Sequence, residues 1–76
     1  MLWDHVVRHS PRQAIAFLNR GTVLSDAGLL DAAIADLTRA IILDPKMPAA
    51  YTDRGNIFAN LGKTDLALTD YEQALR

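Results

Sequence analysis

Apolar residues along this chain fall at the spacing of a helix, and the positions between them mark where each helix starts and stops. Ser10-Pro11-Arg12-Gln13 predicts a helix start, with Ser10 as N-cap, Pro11 in the first helical position and Gln13 three residues past the cap. From there Ile15, Leu18, Val23 and Leu24 recur at helical spacing up to Gly28, a C-terminal stop signal. Ala33, Ile34, Leu37, Ala40 and Ile41 form a second stripe, predicting a helix from Leu30 to Leu43. Asp44-Pro45 ends it, because a residue before proline is pushed out of helical geometry. Pro48 opens a third helix that closes at Gly62, and Thr64 or Asp65 caps a fourth that is still helical in pattern at Arg76.

The same phrase occurs twice. Shifted by 34 residues, Arg20 falls on Arg54, Gly21 on Gly55, Gly28 on Gly62, Asp31 on Asp65, Ala33 on Ala67, Asp36 on Asp70 and Ala40 on Ala74. Phe17 falls on Tyr51, Val23 on Ile57, Leu24 on Phe58, Leu37 on Tyr71 and Ile41 on Leu75. A fixed period of this length signals stacked structural units, here pairs of helices. Gly21 and Gly55 sit inside predicted helices, where each costs about 1 kcal/mol relative to alanine. The pattern pairs them with Ala33 and Ala67, small against small, so that the two helices of a pair approach closely. A phosphate loop is the competing reading of these glycines. It fails because no strand precedes them and no Lys-Ser/Thr pair follows.

With these offsets in place, the sequence resembles the tetratricopeptide repeat family. Phe17, Gly21, Leu24, Gly28, Ala33, Leu37, Ala40 and Pro45 fit one family unit, and Tyr51, Gly55, Phe58, Gly62, Ala67, Tyr71 and Ala74 fit the next. Arg20 and Arg54 stand where the family often has Leu. The resemblance implies an all-α fold, a right-handed superhelical stack of antiparallel helix pairs. It implies one domain over residues 1–76: the end of a preceding repeat at 1–10, a full repeat at 14–47 and a truncated one at 48–76. By register Trp3 stands in the slot of Leu37 and Tyr71, Val6 in that of Ala40, and Val7 in that of Ile41. Both ends read as cut from a longer array, and the apolar side of the last helix calls for a cover, since arrays normally end in polar caps.

Composition narrows the chemistry. The chain has 76 residues, formal charge −1 from 8 basic and 9 acidic residues, and no cysteine. A disulfide framework, a zinc ribbon and a thiol nucleophile are excluded, and nothing carries the electrostatic footprint of a nucleic-acid binder. No apolar stretch approaches the roughly 20 residues of a membrane span, and no membrane contact by this segment is expected. The sequence leaves the compartment unknown, with a soluble, cytoplasmic chain as the expectation. No cofactor is expected. His5 and His9 stand at i, i+4, a spacing that suits a metal. No carboxylate or cysteine joins them at ligand spacing, and they read as a solvated helix end. No nucleophile, base and acid assemble, so the expectation is a non-enzyme.

The first helix of each unit lines the concave side of such a stack, and the resemblance implies that ligand segments lie there. The candidate binding residues are Asn19, Thr22 and Asp26 from the full repeat and Thr52, Asp53, Asn56 and Asn60 from the next. Ile15, Leu18, Ser25, Ala49 and Ala59 share that register. Some family members hold a ligand carboxylate with Lys, Arg and Asn. Here Asn19 and Asn56 could act as the amides, but neither first helix has a Lys and Asp53 would repel a carboxylate. A basic or neutral segment suits this face better. Arg20 and Arg54 read as structural partners of Asp36 and Asp70, pairing as bidentate staples. The expected function is therefore a protein- or peptide-binding module. The alternative is self-assembly into a homo-oligomer through apolar ends at Leu2, Trp3 and Val6 on one side and Leu68, Tyr71 and Leu75 on the other. A weaker alternative is an accessory region of a larger enzyme.

Overall fold

The computed structural model describes residues 11–76, which form four α-helices: α1 (Pro11–Asp26), α2 (Leu30–Leu43), α3 (Pro48–Asn60) and α4 (Thr64–Ala74). The candidate residues Leu2, Trp3, Val6, His5 and His9, and the cap assigned to Ser10, lie outside the described residues. α1 packs on α2 and α3 on α4 as two hairpins, α2 joins the hairpins by packing on α3, and α1 also touches α3.

The hairpin turns follow from the two glycines that close the first helices. Gly28 and Gly62 have φ of 82° and 79°, a region that a side chain disfavours. The Gly28 N–H bonds to the Ser25 carbonyl (3.0 Å) and the Leu29 N–H to the Leu24 carbonyl (2.9 Å). One period later the Gly62 N–H bonds to Ala59 (3.0 Å) and the Lys63 N–H to Phe58 (2.8 Å). These paired bonds are the Schellman arrangement, which satisfies carbonyls that the helix end would leave open. Each hairpin therefore turns through the same bonds for the same reason. The connection between hairpins differs. Asp44 is extended (φ −144°, ψ 90°), its own N–H still closing on Ala40, and Pro48 restarts the chain as α3. The cap expected from Thr64 or Asp65 does not form: α4 starts at Thr64 behind Lys63, with no side-chain cap bond. The helix instead begins directly from the glycine turn, whose geometry already fixes its first residues.

The core is small. Leu37 and Ile57 are the largest fully buried side chains, and with Ala33 they form a cluster against which Leu18, Leu24, Leu30 and Ile34 pack. A Cβ added to Gly21 would lie 2.9 Å from both Cγ and Cδ2 of Leu37, and one added to Gly55 would lie 2.8 Å from Cε1 of Tyr71. The mid-helix glycines thus take up the large residue of the second helix. The alanine carbonyls of Ala33 and Ala67 are the next neighbours, at 3.4 and 3.3 Å. The small-against-small reading accounts for the close approach of the backbones but missed the side chain seated on each glycine.

Two carboxylates are buried, Asp36 and Asp70. Arg20 donates to Asp36 from Nε (2.6 Å) and Nη2 (3.0 Å), and Arg54 donates to Asp70 from Nε and Nη2 (2.8 Å each). Both staples lie within a hairpin. The second does more, because Arg54 Nη1 also donates to Thr38 of α2 (3.1 Å) and so ties one hairpin to the other. The Arg54 guanidinium also lies over the Phe58 and Tyr51 rings, 5.8 and 6.0 Å from their centroids.

The bond from Arg20, helped by its charge, holds the Asp36 carboxyl below the ordinary carboxylate range, while burial opposes the shift. A carboxylate depressed in the folded state lends stability that is present above its unfolded pKa and lost as pH falls through the folded value. Helix content should therefore become acid-sensitive below about pH 5. Asp36→Asn should be less stable at neutral pH and show a flatter acid limb. Circular dichroism from neutral to strongly acidic pH tests this, and an unchanged acid limb would refute it.

Candidate functional site

Most of the sequence-predicted polar residues are exposed on the first helices of the two hairpins. Asn19, Thr22 and Asp26 are exposed on α1, and Thr52, Asn56 and Asn60 are exposed on α3. Asp53 is half-buried, because it meets Thr22. The Thr22 hydroxyl lies 3.0 Å from the Leu18 carbonyl oxygen and 3.1 Å from Asp53 Oδ2, and its single proton is divided between the two acceptors. This pair brings the first helices of successive hairpins into direct contact.

Asn56 is engaged differently from what its sequence position suggests. Tyr71 on α4 donates its phenol hydrogen to Asn56 Oδ1 at 2.6 Å. The carbonyl oxygen of Asn56 is occupied within the hairpin, and its amide NH2 remains for another partner. The same bond, with the ring seated at Gly55, makes Tyr71 half-buried. Leu68 and Leu75, grouped with Tyr71 by sequence, are open: 55% and 89% exposed.

A second concavity was not anticipated. An open groove of about 1010 Å³ runs between α1 and α2, lined by Ala16, Phe17, Arg20, Thr38, Arg39 and Ile42 among others. Phe17 lies between two guanidiniums there, 5.6 Å from that of Arg20 and 5.8 Å from that of Arg39. Only the recurrence of an aromatic three residues before each repeat arginine hinted at it. No group of three His, Cys, Asp or Glu side chains among the described residues is arranged to hold a metal ion. No described helix is long and apolar enough to cross a membrane.

Two stacked hairpins with matching glycine turns and matching Arg–Asp staples define a helical-repeat solenoid. The sequence model of the tetratricopeptide repeat matches residues 2–48 and again 18–76, and the chain belongs to that family. Repeats of this family generally mediate protein–protein interaction and are typically non-catalytic. No curated protein and no solved structure matches the chain significantly.

Proposed function

We propose that this chain binds a protein segment on the face shared by α1 and α3. The observation that carries this is the Thr22–Asp53 contact, which joins the two first helices into one surface. Around it stand Asn19, Asp26, Thr52 and Asn60, exposed and free to turn toward a ligand. Amides both donate and accept, so they suit the backbone of a bound segment. Asp26 and Asp53 give the face its charge, and neither α1 nor α3 carries a lysine. A ligand with basic or neutral side chains is favoured over one presenting a carboxylate.

The test is selection from a random peptide library, followed by calorimetric titration of the selected sequences. Selected peptides should be enriched in Lys and Arg. Asn19→Ala with Asn60→Ala should weaken binding without changing helix content. Asp26→Asn with Asp53→Asn should weaken a basic peptide by about two- to thirtyfold, the range for two exposed ion pairs. Peptides enriched in acidic residues, or affinities indifferent to all four changes, would remove the proposed face from consideration.

A further inference from the structure

Tyr71 on α4 forms a side-chain bond that the first hairpin has no means to repeat. Its ring lies against Gly55, where an added Cβ would stand 2.8 Å from Cε1 and 3.0 Å from Cδ1. The glycine thus lets the ring reach α3, and the phenol oxygen lies 2.6 Å from Asn56 Oδ1. One period earlier the two slots hold Leu37 and Thr22. Leu37 fills the glycine but has no hydroxyl, and Thr22 turns to the Leu18 carbonyl and to Asp53 instead.

The direction of the Tyr71 bond fixes what Asn56 can offer. A phenol can donate to an amide oxygen or accept from an amide nitrogen. At 2.6 Å the contact falls in the range of O–H···O bonds, about 2.5–3.0 Å, and below the roughly 2.7–3.2 Å of N–H···O bonds. The oxygen of Asn56 therefore faces Tyr71, and its NH2 group is turned away. Asn56 is exposed. Its slot also stays open inside a stack: Thr22 occupies it one period earlier and is exposed although a hairpin follows. Asp53 stands three residues before Asn56 on the same helix, close enough for its charge to be felt by anything that Asn56 holds.

We infer that Tyr71 is a positioning residue for ligand recognition. It holds Asn56 with both amide hydrogens outward, so that this position takes a hydrogen-bond acceptor, namely a backbone carbonyl of the bound segment. An asparagine without such a bond can turn either end of its amide to a ligand and discriminates less. A neutral carbonyl suits the site better than a carboxylate, which Asp53 would repel. The inference rests on the binding face proposed above and adds to it the residue that sets the polarity of one contact.

NMR of the free, isotope-labelled protein reads the positioning. Tyr71→Phe keeps the ring at Gly55 and removes only the hydroxyl. Circular dichroism should be unchanged, while the order parameter of the Asn56 side-chain amide should fall. Peptides selected on the wild-type chain then read the recognition. Tyr71→Phe should weaken them about two- to tenfold, the net worth of one hydrogen bond. In an Asn56→Ala background the same change should leave affinity as it was, a result that a merely structural role of Tyr71 would not give. Replacing the peptide bonds of the ligand one at a time by esters, whose carbonyls are weaker acceptors, should find one position that weakens binding to the wild type and not to Asn56→Ala. Tyr71→Phe binding like the wild type, or an equal loss in the Asn56→Ala background, would overturn the proposal and leave the binding face standing. So would an unchanged order parameter, or an ester scan with no position that depends on Asn56. Failure to select any peptide would remove the face and this proposal together.

Discussion

Arg54→Ala is expected to lower the stability of the fold by about 3–5 kcal/mol, the range for removing one partner of a buried ion pair. The reason is what stays behind. Asp70 is 3% exposed and accepts two hydrogen bonds from Arg54. Without the guanidinium it is a buried carboxylate with neither charge nor donor opposite it. The Thr38 hydroxyl loses its inter-hairpin donor at the same time. For a chain of 76 residues the whole stability is on the order of 4–11 kcal/mol, so the loss is a large share of it. Urea unfolding followed by circular dichroism measures it. Arg20→Ala should cost distinctly less, because that side chain is 66% exposed, leaves Asp36 closer to water, and has no bond between hairpins among the described residues. Replacing both members of the buried pair, as in Arg54→Met with Asp70→Leu, should recover much of the loss, since no charge is then stranded. Equal, small effects at Arg20 and Arg54 would show that the third bond and the deeper burial contribute nothing.

The contrast between those two arginines marks how far the sequence could be read. Period, helix bounds and hairpin turns were legible because each is set locally: a proline at a start, a glycine at positive φ, apolar spacing between. The pairing of Arg with Asp was legible because both recur together. What the period concealed is that equivalent positions have unequal neighbours. Val23 and Ile57 are the same position in the repeat, yet one is 65% exposed and the other 1%, because burial comes from the helix stacked alongside, which the local pattern does not contain. The exposure of the polar residues on α1 and α3 was legible in outline, since they share one helical register. The Thr22–Asp53 contact was not, because it spans two hairpins with no common sequence phrase. The engagement of Asn56 by Tyr71 was equally hidden: both residues look available when the helices are read one at a time.

Leu37→Ala should cost about 2–5 kcal/mol, as removal of a fully buried leucine does. Leu37 is 0% exposed, belongs to the cluster with Ile57 and Ala33, and is seated on Gly21. Its loss opens a cavity between α1, α2 and α3 at once. Gly21→Ala acts on the same contact from the other side. Alanine gains about 1 kcal/mol of helix propensity, but its Cβ would stand 2.9 Å from Leu37 Cγ. That atom lies near the backbone of a buried side chain and has little freedom to withdraw, so overpacking at a cost of about 1–3 kcal/mol should prevail. The two changes should therefore be strongly non-additive. In Gly21→Ala with Leu37→Ala the clash is gone, the added methyl enters the cavity and the helix propensity is kept. The double variant should thus be more stable than Leu37→Ala alone, with a coupling inside the 0.5–3 kcal/mol seen for residues in contact. Gly55→Ala should be milder than Gly21→Ala, because its Cβ meets the ring of Tyr71, which is half-buried where Leu37 is fully buried. A double-mutant cycle by urea unfolding decides the matter. Additive losses would mean that the glycine is placed for backbone approach alone, and that the leucine seated on it plays no part in selecting it.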